Sequence, residues 1–160
     1  MGATESHGGS VAALPARRPI SVEHIGEHRA ELWARITAQA FTGRESVAAD
    51  DMQLVMARAA VAQPEVRCYL ARSGDTPVGV GALRVHEGCA ILFSAATTPT
   101  FRRRGVHTAL VAARLAAAEE AGCDLAVALP LPGSDSERNL ERAGFRSAYT
   151  RLVTVRRAAG

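Results

Sequence analysis

The chain has 160 residues, a length that suits one domain with a sizeable core. Apolar residues make up 48% of it, too many for a disordered chain, and no run approaches the roughly 18 to 20 apolar residues that span a bilayer. The formal net charge is a modest +3, which alone does not indicate a nucleic-acid partner.

All 19 basic residues are arginine. A coding bias towards Arg and Ala explains the missing lysines better than a functional demand, although the planar guanidinium suits phosphate. The N-terminus, "MGATESHGGS", lacks the basic-then-apolar layout of an export signal and reads as a loose tail over residues 1–18. Cys68, Cys89 and Cys123 are far apart, odd in number and without a CxxC. This spacing argues against a disulfide framework and a zinc site, and predicts free, buried thiols in a cytoplasmic protein with no metal.

A single domain is expected over residues 19–158. "RPISVEHI" alternates Ile20 and Val22 with polar neighbours, as a short first strand does. A helix is expected from about Glu27 to Phe41, on the spacing of Leu32, Trp33, Ile36 and Ala40. A second is expected over Asp50 to Val61, with Met52, Val55, Met56 and Ala59 as its apolar face and Asp50 and Asp51 at its positive end. Trp33 reads as core rather than as a substrate wall.

The periodicity then changes. "VRCYLARS" (Val66–Ser73), "VGVGALRV" (Val78–Val85) and "CAILFSAATT" (Cys89–Thr98) are strands separated by short turns, hence an antiparallel meander. The glycines of the second suggest close backbone approach. Gly105 to Ala121 is the clearest helix, with Val106, Leu110, Ala113 and Ala117 as one stripe. "LAVALPL" (Leu125–Leu131) is a short buried strand, and Ser134 to Gly144 a short helix with Ser134 or Ser136 as its cap. "FRSAYTRLVTVRR" closes the chain as one strand, or as two broken by a bulge. The class is mixed α/β, a sheet covered by helices.

The stretch "TPTFRRRGVHTAL" places Arg102, Arg103 and Arg104 directly before Gly105 and a helix. A helix start offers unpaired N–H groups and partial positive charge, and glycine removes a side chain where a ligand approaches. These residues point to a phosphate or pyrophosphate, or equally to a solvated basic turn. Neither GxxxxGK[ST] nor a GxGxxG after a strand is present, which disfavours nucleotide triphosphatases and dinucleotide-binding dehydrogenases.

The strand, "TTPTFRRRGVHTALV", the long helix, the short strand and "SERNLERAGF" together resemble the GNAT superfamily of acyl-CoA-dependent N-acetyltransferases. Arg102 to His107 occupy that family's R/Q-x-x-G-x-G/A loop, and Ser136 to Phe145 its short helix ending in Gly-Phe. The resemblance runs from about Val66 to the C-terminus. It implies a mostly antiparallel sheet splayed at the cofactor site, and an acetyl-CoA-dependent enzyme. In it, a primary amine of a small molecule or peptide attacks the thioester directly, without a covalent enzyme intermediate. It implies that Ala96, Thr97 and Thr98 pair with the pantetheine and that a backbone N–H near Ala96 steadies the oxyanion. The N–H groups of Arg103, Arg104, Gly105, Val106, His107 and Thr108 would hold the pyrophosphate, with Ser136 and Asn139 along the cofactor arm. It also makes a homodimer plausible, with no nucleic-acid or membrane partner.

Two departures stand out. His107 replaces the usual Gly or Ala. Leu140 replaces the tyrosine that protonates the leaving thiolate in many members. Tyr149 is then the remaining acid candidate, and its alternative role is strand packing. His86, Glu87 and His107 are candidate bases, and Glu45, Asp50 and Asp51 candidate attractors of the amine. A non-catalytic acyl-CoA sensor and a nucleic-acid-binding module are the rival readings. Against the second, the basic residues are spread along the chain and only Phe101 interleaves with the arginines.

Overall fold

A computed structural model describes residues 18–150 and residue 154. The expected loose tail, apart from its last residue, lies outside the described residues. Among the described residues five strands form one sheet in the order β1 (Ile20–His24), β2 (Val66–Ser73), β3 (Thr76–His86), β4 (Cys89–Thr97) and β5 (Leu125–Ala128). The first four pair antiparallel and β4 pairs parallel with β5, so the expected meander is present. The parallel step needs a long crossover, which the third helix supplies.

Helices α1 (Ala30–Thr42) and α2 (Met52–Val61) cover one face of the sheet, and α3 (Val106–Glu120) covers the other. On the first face Trp33, Ile36, Leu54, Cys68, Leu70 and Val80 form the core. Trp33 is fully buried and its indole N–H donates to the Tyr69 carbonyl at 3.0 Å, so it is core, as expected. On the second face Leu83, Leu92, Val106 and Leu110 pack together. A fourth helix, α4 (Asp135–Arg142), follows β5; the Ser134 hydroxyl caps it by accepting from the Glu137 N–H at 3.2 Å.

Three expectations need correction. The face of α2 is Leu54 and Ala57, with Val61 partly buried; Met52, Val55, Met56 and Ala59 are exposed. The two sets interleave on one helix, and the single large Leu beside a small Ala suits the close approach to α1. Second, β5 ends at Ala128 rather than Leu131, because Pro130 lacks the N–H that a ladder needs. Third, residues 145–150 form no strand; the rest of that expected strand lies almost wholly outside the described residues. Cys68, Cys89 and Cys123 are free, Cys68 buried and the other two partly so.

The glycines of β3 do permit close approach. A Cβ on Gly79 would stand 2.6 Å from Val106 Cγ1, and one on Gly81 would stand 3.1 Å from Arg114 Cζ. Both make room for α3 against the sheet.

Candidate acyl-CoA site

The site begins where β4 loses its neighbour. Pairing with β5 runs only from Cys89 to Leu92, so Phe93 to Thr97 have no partner on that side among the described residues. The opposite edge of β4 stays paired to β3, with a bulge: Val80 faces Ala96 and Ala82 faces Phe93, leaving Ser94 and Ala95 opposite Gly81. Ser94 takes a left-handed backbone, φ 48°. Such a bulge re-aims the strand and typically lies next to a functional site.

The chain then turns through Pro99–Phe101 into the arginine loop. The Thr98 N–H and hydroxyl both donate to the Val78 carbonyl, at 3.0 and 3.2 Å, tying the turn to β3. Arg104 sits over the Phe101 ring, 5.1 Å from its centroid, and Arg103 is left-handed at φ 60°. Gly105 is left-handed too, φ 84°, with open space where its Cβ would be. It caps α3 without any side-chain bond. The first backbone N–H of the helix to find an acceptor is that of Ala109, on the Gly105 carbonyl at 2.9 Å. The six amides from Arg103 to Thr108 have none among the described residues. The three arginines are solvent-exposed beside them.

A cavity of about 230 Å³ occupies the gap between the strands. Phe93, Ser94 and Ala95 form its β4 wall, Ala128 to Leu131 the opposite wall, and His107, Arg114, Ser134, Ser136 and Leu140 its helical end, with Phe41 at the rim. His107 Nε2 and Ser136 Oγ are 3.3 Å apart, linking the first turns of α3 and α4 across it. Nδ1 of His107 is buried without a partner. Burial, aided by the Arg114 charge, lowers the pKa of His107, so the ring is neutral at neutral pH. Leu140 is buried on the cavity wall, so the place of the family's tyrosine is apolar.

The expected residues divide clearly. His107 and Ser136 come together with Phe93, Ser94 and Ala95 of the free edge of β4, and the other loop residues are not among those lining the cavity. Ala96 and Thr97 lie on that edge, paired to Val80 and Gly79, but the β4 residues that line the cavity are Leu92, Phe93, and Ser94 and Ala95 of the bulge. Asn139 is not on the cavity wall; its side-chain Oδ1 accepts from Arg142 Nη1 at 3.0 Å. Tyr149 is 77% exposed, in a stretch without regular structure, and is not among the residues lining the cavity. His86 ends β3, paired with Cys89 at the start of β4, and Glu87 lies in the turn that follows, at the end of β4 away from the bulge. Asp51 is occupied as the cap of α2, accepting from the Gln53 N–H, and pairs with Arg44 at 3.6 Å. Among the described residues no acidic, Cys or His cluster suits a metal, and no helix is long and apolar enough to cross a membrane.

Arg114 is the functional candidate that the sequence reading passes over. It is 1% exposed. Its Nε donates to the Leu110 carbonyl at 2.9 Å, and its Nη1 to those of Ala82 and Phe93 at 3.2 and 3.4 Å. The signal was available: Val106, Leu110, Arg114 and Ala118 recur every fourth residue, so an arginine stands within the buried stripe.

The sequence matches the model of the acetyltransferase (GNAT) family over residues 28–145. The chain belongs to that family. It is accordingly an acyltransferase, with acetyl-CoA as co-substrate. Solved structures of the same fold include AAC(6')-Iy in complex with the bisubstrate analogue CoA-S-monomethyl-acetylneamine, at 18% identity and TM-score 0.66, covering 88% of this chain and 99% of that one. An aminoglycoside acetyltransferase from an uncultured soil metagenomic sample, in complex with sisomicin, is similar at 15% identity and TM-score 0.65, covering 88% and 97%. The ribosomal-protein-alanine N-acetyltransferase of Brucella melitensis biovar Abortus 2308 is similar at 14% identity and TM-score 0.68, covering 86% and 99%. No curated protein matches the sequence.

Proposed function

We propose that this protein transfers the acetyl group of acetyl-CoA to a primary amine by direct attack within a ternary complex. The observation that carries the reading is the junction of two unsatisfied backbone edges at one cavity. Among the described residues the amides from Arg103 to Thr108 are free, and His107 within that run lines the cavity together with Phe93, Ser94 and Ala95 of the β4 stretch that has no partner on its β5 side. A pyrophosphate satisfies the first through N–H donors and the helix's positive end. An extended pantetheine arm, with its two amides, satisfies the second as an added strand would. Arg102, Arg103 and Arg104 add charge at the mouth, and Ser136 contributes a hydroxyl along the arm.

In this reading the thioester reaches the bulge at Ser94 and Ala95, and the amine enters from the side of Phe41. Catalysis rests on positioning: holding two reactants together is worth several kcal/mol, about 7 to 11 at best. Among the described residues no carboxylate lines the cavity, and burial lowers the pKa of His107 on its wall and makes it a weak base, so the amine's proton passes to water at the open mouth. Two of the structures similar to this chain have aminoglycosides or an aminoglycoside-derived analogue bound, which supports an amine acceptor as a class.

The test is calorimetry with acetyl-CoA, followed by an amine panel read by release of the free thiol. Binding with release is the expected result. Failure of the wild-type chain to bind acetyl-CoA refutes the reading. The apolar Leu140 in the acid's place favours one rival, a sensor that binds acyl-CoA and transfers nothing; binding without release from any amine supports it.

A further inference from the structure

We propose that the buried Arg114 guanidinium stabilises the thiolate that leaves from CoA, the task that falls vacant where Leu140 replaces an acid. The proposal rests on the acetyltransferase reading above and deepens it. Three observations carry it. Arg114 lies in the cavity wall beside the bulge, two turns along α3 from His107. Its Nη1 bonds the Phe93 and Ala82 carbonyls, the pair that flanks the bulge, and Gly81 lacks a side chain so that the guanidinium fits beneath it. Finally, its charge is not neutralised: among the described residues no carboxylate lies within ion-pair distance.

A buried charge without a counter-ion is costly, and an anion formed in the same cavity offsets that cost. The titratable groups that face Arg114 are Tyr69 on β2 and His107 on α3. Burial raises the pKa of Tyr69, so its phenol stays neutral at neutral pH and cancels nothing. Burial pushes the guanidinium down to about 10, which leaves it charged across the working range. His107 already senses that charge within the cavity.

The amine nitrogen's lone pair forms the C–N bond, and the carbonyl π pair moves onto oxygen. The ammonium proton passes to water. The oxyanion collapses, the C–S bond breaks, and sulfur leaves with that electron pair as a thiolate facing Arg114. The products are the amide, the CoA thiolate and one proton in solution. A fixed positive charge in a poorly solvated cavity favours the anion far more than it would in water.

The experiment measures the thiol pKa of CoA bound to the full chain, from thiolate ultraviolet absorbance against pH, with desulfo-CoA as the blank. It compares wild type, Arg114→Gln and Arg114→Lys. Gln keeps an N–H donor for the bulge carbonyls and removes the charge; Lys keeps the charge and loses the fork. The expected result is a bound thiol pKa below that of free CoA, a roughly tenfold smaller thiolate fraction at fixed pH in Arg114→Gln, and recovery in Arg114→Lys. An identical pKa in wild type and Arg114→Gln overturns the proposal and leaves Arg114 as a plug for the bulge. Should Arg114→Gln fail to fold, the wild-type value decides alone: a bound thiol pKa at or above that of free CoA overturns the proposal. Wild type binding CoA with an unperturbed thiol leaves the acetyltransferase reading standing, whereas no CoA binding at all overturns both.

Discussion

Gly79→Ala tests how closely the start of α3 is fitted to the sheet. The added Cβ would stand 2.6 Å from Val106 Cγ1, 3.0 Å from the Ala96 carbonyl oxygen and 3.3 Å from Leu110 Cδ1. Carbon atoms rest at about 3.5 to 4.0 Å, so the Val106 methyl must retreat by about an ångström. It has nowhere to go: Val106 is buried, and a β-branched side chain in a helix holds one strongly preferred rotamer. The Ala96 oxygen belongs to the ladder with β3. The first turn of α3 therefore moves outward. Overpacking of this kind costs about 1 to 3 kcal/mol. Removing a glycine from a strand gives back about 0.5 to 1 kcal/mol. Mid-range values leave a net loss of about 1 kcal/mol, a fall in Tm of roughly 2 to 4 °C for a chain of this size. Urea denaturation of Gly79→Ala, Val106→Ala and the double variant measures it, and the double variant recovers at least about 0.5 kcal/mol relative to additivity. Affinity for CoA falls more than in Ile25→Val, a control on the other face of the sheet of similar cost, about 0.5 to 1.5 kcal/mol. Wild-type stability of Gly79→Ala, or strict additivity in the cycle, would show that α3 is not seated on β3 as described.

Gly105→Asp is expected to weaken CoA binding at least tenfold, because a carboxylate beside the free amides repels phosphate and occupies them; Gly105→Ala, which shares only the strain of a left-handed residue at about 1 to 2 kcal/mol, separates the two effects. Equal affinities for Asp and Ala at this position would rule out charge as the cause. His107 gives a pH signature. Its pKa is lowered in the fold, so as pH falls below the usual 6.5 the unfolded chain takes up a proton that the folded one resists. Stability therefore declines through that window and on down to the folded pKa, and His107→Asn flattens the decline in urea titrations from pH 7 to 5. A profile as steep as wild type would assign the loss to other groups. Cys68 is held up to about 12 by burial, so thiol reagents should modify it only on unfolding, while the partly exposed Cys89 and Cys123 react in the native state. Mass-spectrometric mapping of native-state labelling at Cys68 would contradict that placement.

The strand β2 was legible because its apolar residues alternate, and α3 because most of its apolar residues recur at helical spacing. The phosphate loop was legible because glycine, arginines and a helix start carry their physics locally. The bulge was not. In "FSAAT" small residues occupy both faces of β4, so nothing in the pattern fixes the register, and Ser94 and Ala95 reached the cavity unannounced. The face of α2 was misread because its apolar residues run nearly all round the helix; packing against α1 and β2, not periodicity, selects Leu54 and Ala57. Arg114 was passed over because a charged residue inside an apolar stripe reads as an interruption, although its position in the repeat was regular. Leu140 shows the reverse case: its departure from the family pattern was plain in the sequence, and the structure adds that it lies buried on the cavity wall, with a buried cation on the same wall.

The central claim is that one cofactor satisfies two backbone edges at once. Backbone NMR of the full chain during a CoA titration tests it directly. Amides from Arg103 to Thr108 and those of Ser94 to Thr97 should shift together, with one saturating affinity, while α2 remains unmoved. Shifts confined to the arginine loop, or none at all, would contradict the account.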